Sequence, residues 1–522
     1  MWWPFARKYP ERTPESVDSH EYDYVVVGGG TAGCVLASRL SENSNTSVLL
    51  LERGPVNDTW ISRVPIISSN ILNPNTGASS WLCEPMKHCN GRQSLLFCGE
   101  VMGGGSRVNG MVYHHGTAAD FDSWAEMGHP EWSYEKVLPF FVKSERTIGQ
   151  PKSDYRGDSG PWTNKAFPKS AWLFKVSQVF RDIAEGMGFT SISDTSAPDA
   201  PPDCIATFDS TVNEKSQRVS TFDAFLPRET ALSRENNLTI CTKTIVSKIV
   251  FSQEENGKKP CAQQIIFKSV DPKNQKVFSV KVKKEVIVCS GAIGSPQVLM
   301  LSGVGPRKHL DEHGIKVVHD LPGVGSELTD HIGIPVAWET PVSESLTVVT
   351  ASLILKGGLE FLKYLFFGHG PKPHINVDET TPAVPIVYNP QEHLADIEIM
   401  PLPTSAMDNL EEHKRLFSKI GVLSLLIILL QSKSRGSVRL ASSNPHDRPK
   451  IDLGILSNPE DYKIARLAVR LALSLGASMK ASGFSLLRNL TFDEEEKDDE
   501  GVDKFIRERI RRLLPSLPVV NV

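Results

Sequence analysis

Three spaced glycines near the start of the chain constrain the fold more than any other feature of the sequence. Gly28, Gly30 and Gly33 match the pattern G-x-G-x-x-G and directly follow a β-type run from Tyr22 to Val27. The residues after them, from Cys34 to Leu40, are compatible with a helix. A strand, a glycine turn and a helix in this order open the βαβ unit of a parallel sheet.

Each of these glycines has a physical role if the turn binds a dinucleotide. The first makes the tight turn, the second lets the backbone approach a pyrophosphate, and the third lets the helix pack closely on the strand. The helix N-terminus offers N–H groups and the positive end of its dipole to the phosphates. Glu52 follows the next apolar run and lies 19 residues after Gly33, where a carboxylate can accept hydrogen bonds from ribose hydroxyls. The pattern predicts a dinucleotide rather than an unliganded turn, and it fits FAD and NAD equally.

Length and composition are typical of an ordinary globular protein. The chain has 522 residues, of which 40% are hydrophobic and 23% charged, and a chain of this length usually divides into two or more domains. The formal net charge of −4 arises without long basic runs, which argues against nucleic acid or an anionic membrane as partner and favours a small, neutral substrate. Eight cysteines occur without C-x-x-C spacing, so we expect neither a metal site nor a disulfide scaffold.

The sequence contains no stretch typical of a secretory signal or a membrane span. Met1 to Pro14 is interrupted by prolines and basic residues and holds no apolar run of secretory length. The most apolar stretch, Val422 to Leu430, is far shorter than the roughly 20 residues that a membrane-spanning helix needs. It reads as a buried strand or a short core helix. We therefore expect a cytoplasmic protein without a membrane partner.

Period-two patterns predict further strands in two parts of the chain. Leu238 to Ile249 and Phe278 to Cys289 are β-rich and suggest a meander added to the nucleotide-binding sheet. Further candidates are Gly333 to Trp338, Ala395 to Met400 and Val422 to Leu430, in a region with few clean helices. These three indicate a second domain with a more antiparallel sheet.

Two helices are predicted near the end of the sequence. Asn458 is a good N-cap before Pro459 at the first helical position, and the pattern predicts a helix through Leu475. The acidic run from Asp493 to Glu500 is typical of a solvated loop. Apolar residues at helical spacing follow it and predict a final helix that stops at Pro515.

Two glycine-rich segments resemble the signature segments of the glucose-methanol-choline (GMC) oxidoreductase family. One runs from Gly99 to Tyr113 (GEVMGGGSRVNGMVY) and the other from Gly291 to Pro306 (GAIGSPQVLMLSGVGP). The second matches the family pattern throughout, whereas the first departs from it at Glu100 and Met102. Shorter matches occur in the family's order at Val324-Gly325, Asp330-His331, Ser434-Arg435-Gly436 and Pro449. The likeness extends from about residue 23 to about residue 510.

The resemblance implies an α/β fold with a Rossmann-like FAD-binding domain and a second, substrate-binding domain built on an antiparallel sheet. We expect a leader over 1–20 and a mainly FAD-binding part over 21–320, discontinuous and with inserted substrate-domain segments. A mainly substrate-binding part over 321–490 and an acidic loop with a terminal helix over 491–522 follow.

The same resemblance implies which residues contact FAD, with the isoalloxazine ring against the segment from Val101 to Val112. Glycines there let the backbone touch a flat ring without interference from Cβ atoms. The implied contacts are Gly28, Gly30, Thr31, Ala32 and Gly33 at the pyrophosphate, Glu52 and Arg53 at the ribose, Val101, Gly103, Gly104, Asn109, Gly110, Met111 and Val112 at the flavin, and Val246 at the adenine. Covalent members carry a histidine just before the Asn109 position, and Val108 here favours noncovalent binding.

Alcohol oxidation on flavin needs hydride transfer from carbon and removal of the hydroxyl proton, for which a histidine suits neutral pH. In the family this histidine follows the last predicted helix, but no histidine occurs after His446, and the family's closing segment is also missing. The sequence therefore suggests a truncated family member whose catalytic residues are unknown. His114, His115 and His331 are candidate substitutes, and we expect each of them to be structural.

The sequence thus predicts an FAD-dependent enzyme that oxidises a primary or secondary alcohol to a carbonyl. The subgroup resembles fungal aryl-alcohol-type members, and a place in secondary metabolism fits an intracellular enzyme. The alternative is an inactive FAD-binding remnant without the catalytic histidine. The patterns G-x-S-x-G and H-E-x-x-H do not occur, which argues against a hydrolase and a zinc protease. Neither the identity of the alcohol nor the oligomeric state follows from sequence.

Overall fold

The computed structural model describes residues 7–68, 74–166, 175–252, 259–345, 384–386, 394–406 and 420–512. The strands are β1 Glu11–Arg12, β2 Glu21–Val27, β3 Val48–Leu51, β4 Ala78–Leu82, β5 Leu95–Gly99, β6 Val112–Tyr113, β7 Glu145–Ile148, β8 Trp162–Lys165, β9 Thr190–Ser191, β10 Cys204–Ile205, β11 Asp209–Ser210, β12 Leu238–Cys241, β13 Thr244–Phe251, β14 Ala262–Ser269, β15 Val277–Val288, β16 Val304–Gly305, β17 His319–Asp320, β18 Ile332–Thr340, β19 Val384–Ile386, β20 Ile397–Leu402, β21 Gly421–Leu429, β22 Ser437–Arg439, β23 Lys450–Asp452 and β24 Arg511–Arg512. The α-helices are α1 Pro14–Val17, α2 Thr31–Leu40, α3 Pro65–Ser68, α4 Ala118–Glu126, α5 Tyr134–Ser144, α6 Val176–Gly186, α7 Thr221–Phe225, α8 Arg228–Ser233, α9 Gly291–Leu301, α10 Arg307–Glu312, α11 Glu460–Ala481 and α12 Asp499–Arg509.

The largest sheet is the nucleotide-binding sheet that the sequence predicts. It has seven strands in the order β1-β12-β3-β2-β15-β14-β13. The pairs from β1 to β15 are parallel, and the β15-β14-β13 part is antiparallel. All four residues of β3 are buried, as expected for a central parallel strand covered on both faces. The predicted meander is confirmed for β13, β14 and β15. The first residues of the predicted stretch, Leu238 to Cys241, form β12 instead, which lies in the parallel part of the sheet.

The residues predicted to form a leader contribute to this sheet where the structure describes them. Glu11 and Arg12 pair in parallel with β12 at the sheet edge. Val17 is buried in the core of the sheet, and Tyr9 packs against the ring of Phe222 at a centroid distance of 5.3 Å. Residues 9–17 therefore pack against the nucleotide-binding sheet, and the leader predicted over 1–20 stays a prediction.

A five-stranded antiparallel sheet forms the second main layer, in the order β19-β20-β21-β18-β24. Its strands match the three predicted ones to within two residues at their first residues. All nine residues of β21 are buried, so Val422 to Leu430 reads correctly as a core strand rather than a helix. The sheet separates two apolar clusters. One face packs under α11, and the other carries Met400, Leu402, Leu426 and Ile428. The side chains of this second face are buried, and it is called the second apolar face below.

Both C-terminal helices are present, with bounds that differ from the prediction. Helix α11 begins at Glu460, after Pro459, and runs past Leu475 to Ala481. Gly476 lies inside the helix and does not end it. A Cβ at this position would lie 2.5 Å from a ring carbon of Trp338, so the close packing of that ring requires a glycine. In α12, the side chain of Asp498 accepts a hydrogen bond from the N–H of Gly501, so part of the acidic run caps a helix. The helix ends at Arg509, and the predicted stop at Pro515 lies outside the described residues.

A smaller four-stranded sheet has the order β6-β11-β8-β7, and its strand β6 contains the last two residues of the segment from Gly99 to Tyr113. Among the helices that the structure describes, none has the length and apolar character needed to cross a bilayer.

Candidate cofactor site

The predicted glycine turn lies at the carboxyl end of β2, where it admits no larger side chains. Gly28 has a φ of +105°, and a Cβ there would lie 2.5 Å from the carbonyl oxygen of Cys289. A Cβ on Gly33 would lie 1.8 Å from the carbonyl oxygen of Gly28. The helix therefore packs directly on the turn because both positions are glycine.

The N-terminus of α2 is open to a ligand. Gly30 is the N-cap residue, and no side chain caps the helix. Thr31 and Ala32, in the first turn, are exposed. The first N–H groups of a helix have no helical acceptor and carry the positive end of the dipole, so this surface suits a phosphate group.

Glu52 is buried at the end of β3 and organises the turn. Its two carboxylate oxygens accept hydrogen bonds from the N–H groups of Gly29, at 2.6 Å, and Gly54, at 2.7 Å. Burial raises the pKa of Glu52, and those two N–H groups oppose the rise. The carboxylate thus holds the backbone of the glycine turn next to the backbone that follows β3. Each oxygen can accept one more hydrogen bond, which leaves room for the predicted contact with a ribose hydroxyl. That contact stays a prediction.

The glycine turn at Gly28 and the flavin segment around Gly103 are far apart in sequence but meet in the fold. The N–H of Gly103 donates to the carbonyl oxygen of Gly29 at 2.8 Å. A Cβ on Gly104 would lie 2.7 Å from the Cα of Gly30. The hydroxyl of Thr31 donates to the carbonyl of Gly103 at 3.3 Å. The phosphate-type turn and the predicted flavin segment therefore form one continuous backbone surface.

The rest of the flavin segment runs along this surface into β6. Val101, Gly110 and Met111 are buried, and Val112 is half-buried. The Asn109 side-chain oxygen accepts a hydrogen bond from the N–H of Met111 at 3.2 Å. The segment therefore presents main chain and short side chains next to the glycine patch, as a flat ring requires.

Two further predicted contacts, Arg53 and Val246, lie near the carboxyl end of β3. Arg53 follows Glu52 and lies 3.8 Å from the Glu100 carboxylate, with its guanidinium 6.0 Å from the centre of the Trp81 ring. Val246 is in β13, two residues after Thr244, whose N–H donates to the carbonyl oxygen of Glu52. Both therefore lie near the end of β3, where the prediction puts ribose and adenine.

The three candidate histidines have different surroundings. His115 is buried, with its Nε2 3.2 Å from Glu145 and its ring stacked on Phe141. His114 stacks on Phe208 at 4.8 Å, and its Nδ1 accepts a hydrogen bond from a backbone N–H. Burial lowers the pKa of His331 to about 4. None of the three forms a hydrogen bond with another histidine or an asparagine in the described part of the chain. The expectation that they are structural stays a prediction.

His114 connects the flavin segment to the five-stranded sheet. Desolvation by the surrounding protein lowers the pKa of its imidazole. Phe208, on which the ring stacks, packs against the second apolar face of that sheet. The surroundings of His114 on this side are therefore apolar.

Sequence reasoning missed two buried arginines near this site. Arg218 contacts the flavin segment directly, through Asn109 and Ser106. Arg156 lies in a buried charge network behind His115. An isolated arginine in a polar stretch carries no sequence signal of burial, because arginine is almost always exposed unless paired. No group of metal-ligating side chains able to hold an ion occurs among the described residues.

Comparisons with known proteins agree with this geometry. The GMC oxidoreductase N-terminal family model matches residues 22–333, and the GMC oxidoreductase C-terminal model matches 432–514. Dehydrogenase str4 of Strobilurus tenacellus is 33% identical over 489 residues, covering 88% of this chain and 77% of that protein. An oxygen-dependent choline dehydrogenase of Brucella suis is 30% identical, covering 94% and 84%. A formate oxidase structure from Aspergillus oryzae superposes with a TM-score of 0.82 at 20% identity, covering 95% and 88%.

These matches extend over most of the chain. They include both segments that resemble the family signatures, Gly99 to Tyr113 and Gly291 to Pro306. The α/β fold with a nucleotide-binding sheet and an antiparallel sheet, predicted from the resemblance, is confirmed. The chain belongs to the GMC oxidoreductase family, whose members are FAD-dependent oxidising enzymes.

Proposed function

We propose that this protein oxidises an alcohol to a carbonyl compound, with FAD as the hydride acceptor. The observation that carries the proposal is the hydrogen bond from the N–H of Gly103 to the carbonyl of Gly29, which joins a phosphate-binding turn to a backbone surface suited to a flat ring. FAD has both a pyrophosphate and such a ring. When bound, FAD supplies the site that accepts the hydride from the alcohol carbon.

The residues present fit this cofactor at both ends. We propose that the open N-terminus of α2 holds the pyrophosphate, because Thr31 and Ala32 are exposed there and no side chain occupies the cap. The glycines that meet at Gly30 and Gly104 leave a cradle that a Cβ would fill. The proposed contacts at the ribose and adenine are Glu52, Arg53 and Val246, and those at the ring are Val101, Gly103, Gly104, Asn109, Gly110, Met111 and Val112.

We further propose that the substrate binds beside His114 and is largely apolar. Phe208, on which His114 stacks, packs against the second apolar face with Met400 and Leu426. Apolar surroundings favour a substrate with a hydrocarbon or aryl body over a sugar, because a sugar's hydroxyls would be left without partners. The Nδ1 of His114 accepts a backbone N–H, which puts the ring proton on Nε2 in the neutral form. His114 can therefore donate a hydrogen bond to an oxygen of a molecule bound beside it.

A second candidate is a protein that binds FAD without turning over an alcohol. The observation that favours it is chemical: His115 is held by Glu145, and a His331 with a pKa of about 4 is a weak proton acceptor at neutral pH. Both candidates predict a yellow protein, so they differ only in what reduces the flavin.

Anaerobic addition of alcohols to the FAD-loaded protein separates the two. We expect the flavin absorption band to bleach with benzyl alcohol or a long-chain primary alcohol, and not with glucose, because the surroundings of His114 are apolar. Photochemical reduction is the control that the bound flavin can be reduced at all. A flavin that light bleaches and none of the alcohols bleaches would contradict alcohol oxidation and support the second candidate.

A further inference from the structure

The flavin segment contains a backbone conformation that its own residues do not favour. Met111 has a φ of +66° and is fully buried. A bulky side chain in this left-handed region is unfavourable, and the conformation persists only where surrounding contacts impose it. Because Met111 lies between Gly110 and Val112, the contacts that impose this turn also set where the proposed ring-contacting backbone lies.

One buried guanidinium contacts the residues that directly precede this turn. Arg218 is 1% exposed and donates from Nη1 to the side-chain oxygen of Asn109, at 2.7 Å, and to the carbonyl of Ser106, at 3.2 Å. Its Nη2 donates to the Asn109 carbonyl at 2.7 Å, and its Nε donates to the hydroxyl of Ser68 at 2.8 Å. All four acceptors are neutral oxygens. The planar fork thus spans both the side chain and the main chain of Asn109.

This contact fixes which way the Asn109 amide points. A guanidinium has only donors, so the amide must turn its oxygen toward Arg218 and its nitrogen away. The same oxygen also accepts the N–H of Met111. A single acceptor atom therefore links the arginine to the strained residue, and flipping the amide would break both contacts.

The loop that carries Arg218 is itself tied to the segment. The N–H of Thr211 donates to the Met111 carbonyl at 2.8 Å, and the N–H of Val219 donates back to Thr211. The N–H of Arg218 donates to the carbonyl of Arg63. The arginine is thus anchored to three segments of backbone, as expected for a rigid support behind a functional surface.

We propose that Arg218 is a positioning residue for the flavin: it holds Asn109 and the left-handed turn at Met111 in the conformation that contacts the isoalloxazine ring. The inference rests on the proposed cofactor site. It makes the arginine's forked geometry, and not only its positive charge, the property that shapes the ring environment.

The test replaces Arg218 with lysine, which keeps the charge and loses the fork. Arg234→Lys is the matched control, since Arg234 also donates to a backbone carbonyl and two hydroxyls in the same unit, at the other end of α2. We expect Arg218→Lys to weaken FAD binding at least tenfold in a fluorescence titration and to shift the absorption band and midpoint potential of the bound flavin. Arg234→Lys changes neither the spectrum nor the potential, even if it lowers the melting temperature.

A milder variant covers the case in which Arg218→Lys does not fold. Ser68→Ala removes the contact to Nε, together with the hydrogen bond from the Ser68 hydroxyl to the Pro65 carbonyl. We expect a two- to fivefold loss of FAD affinity with a small spectral shift in the same direction. Wild-type affinity and spectrum in Arg218→Lys, or in Ser68→Ala where the lysine variant is unfolded, would overturn the role of Arg218. Failure of the wild-type chain to bind FAD would overturn the proposed cofactor site instead, so the two failures are distinguishable.

Discussion

Replacing Gly33 with alanine is expected to abolish useful FAD binding. The new Cβ would lie 1.8 Å from the carbonyl oxygen of Gly28 and 3.4 Å from the Cβ of Cys289, so helix α2 must move away from the end of β2. That movement carries the exposed first turn, with Thr31, away from Gly103. We expect at least a hundredfold weaker binding, which is about 2.7 kcal/mol, and a loss of about 1 to 3 kcal/mol in the unfolding free energy of the apoprotein.

Gly186→Ala is the matched control. Gly186 lies in the last turn of α6, and no atom lies within 4 Å of the position its Cβ would take. Alanine there is expected to leave FAD affinity unchanged and to raise the unfolding free energy by up to about 1 kcal/mol. Titration of both variants with FAD, together with denaturant unfolding, measures the difference. Equal affinities in Gly33→Ala and Gly186→Ala would mean that this turn does not hold the cofactor.

The second large effect is expected at Arg156, which lies among three buried carboxylates. Its guanidinium contacts Glu145 at 3.2 Å, Asp194 at 2.8 Å and Asp209 at 2.6 Å, and all four side chains are at most 8% exposed. Arg156→Met leaves three carboxylates buried without their cation. We expect this variant to lose about 3 to 5 kcal/mol of unfolding free energy at neutral pH, because an uncompensated buried charge is strongly destabilising.

The pH dependence of this loss identifies its cause. Burial alone would raise the pKa of Glu145, but the hydrogen bond with His115 and the charge of Arg156 hold it at about 2. A depressed acid stabilises the fold above its unfolded pKa of about 4.5, and that contribution is lost as pH falls toward 2. Without Arg156 the carboxylates protonate more readily, so we expect the deficit of the variant to shrink as the pH falls from about 4.5 toward 2.

Lys463→Met is the control for Arg156→Met. Lys463 pairs with Glu460 on the surface of α11, where the two side chains are 66% and 58% exposed. A pair of this kind contributes less than about 0.5 kcal/mol. Denaturant unfolding of both variants gives the comparison. A loss as small in Arg156→Met as in Lys463→Met would show that the buried network does not stabilise the fold.

Much of the fold could be predicted because its signals are local. The glycine turn between β2 and α2 and the apolar run of β21 each lie within a few residues of sequence. The continuation of α11 past Gly476 could not be predicted, since this glycine makes room for the Trp338 ring of another element instead of ending the helix. The edge strand at Glu11 was also missed, because two residues carry too little pattern to identify a strand.

The candidate site divides in the same way. The glycines at 28, 30 and 33 have a local spacing rule, and family resemblance adds the segment at Gly103. The contacts that shape these segments are not local. Arg218 reaches Asn109 across 109 residues of sequence, and Arg156 reaches Asp209 across 53. Burial of such a charge depends on which segments the fold brings together, and no residue pattern records that.

We propose that the Gly28 turn and the Gly103 segment form one cradle for FAD. Titration of the apoprotein with FAD, followed by flavin fluorescence, tests this proposal most directly, with NAD as competitor. We expect one FAD per chain, a resolved flavin absorption spectrum, and no displacement by an equal concentration of NAD. A chain that folds but binds no FAD, or that releases FAD to NAD, would contradict it.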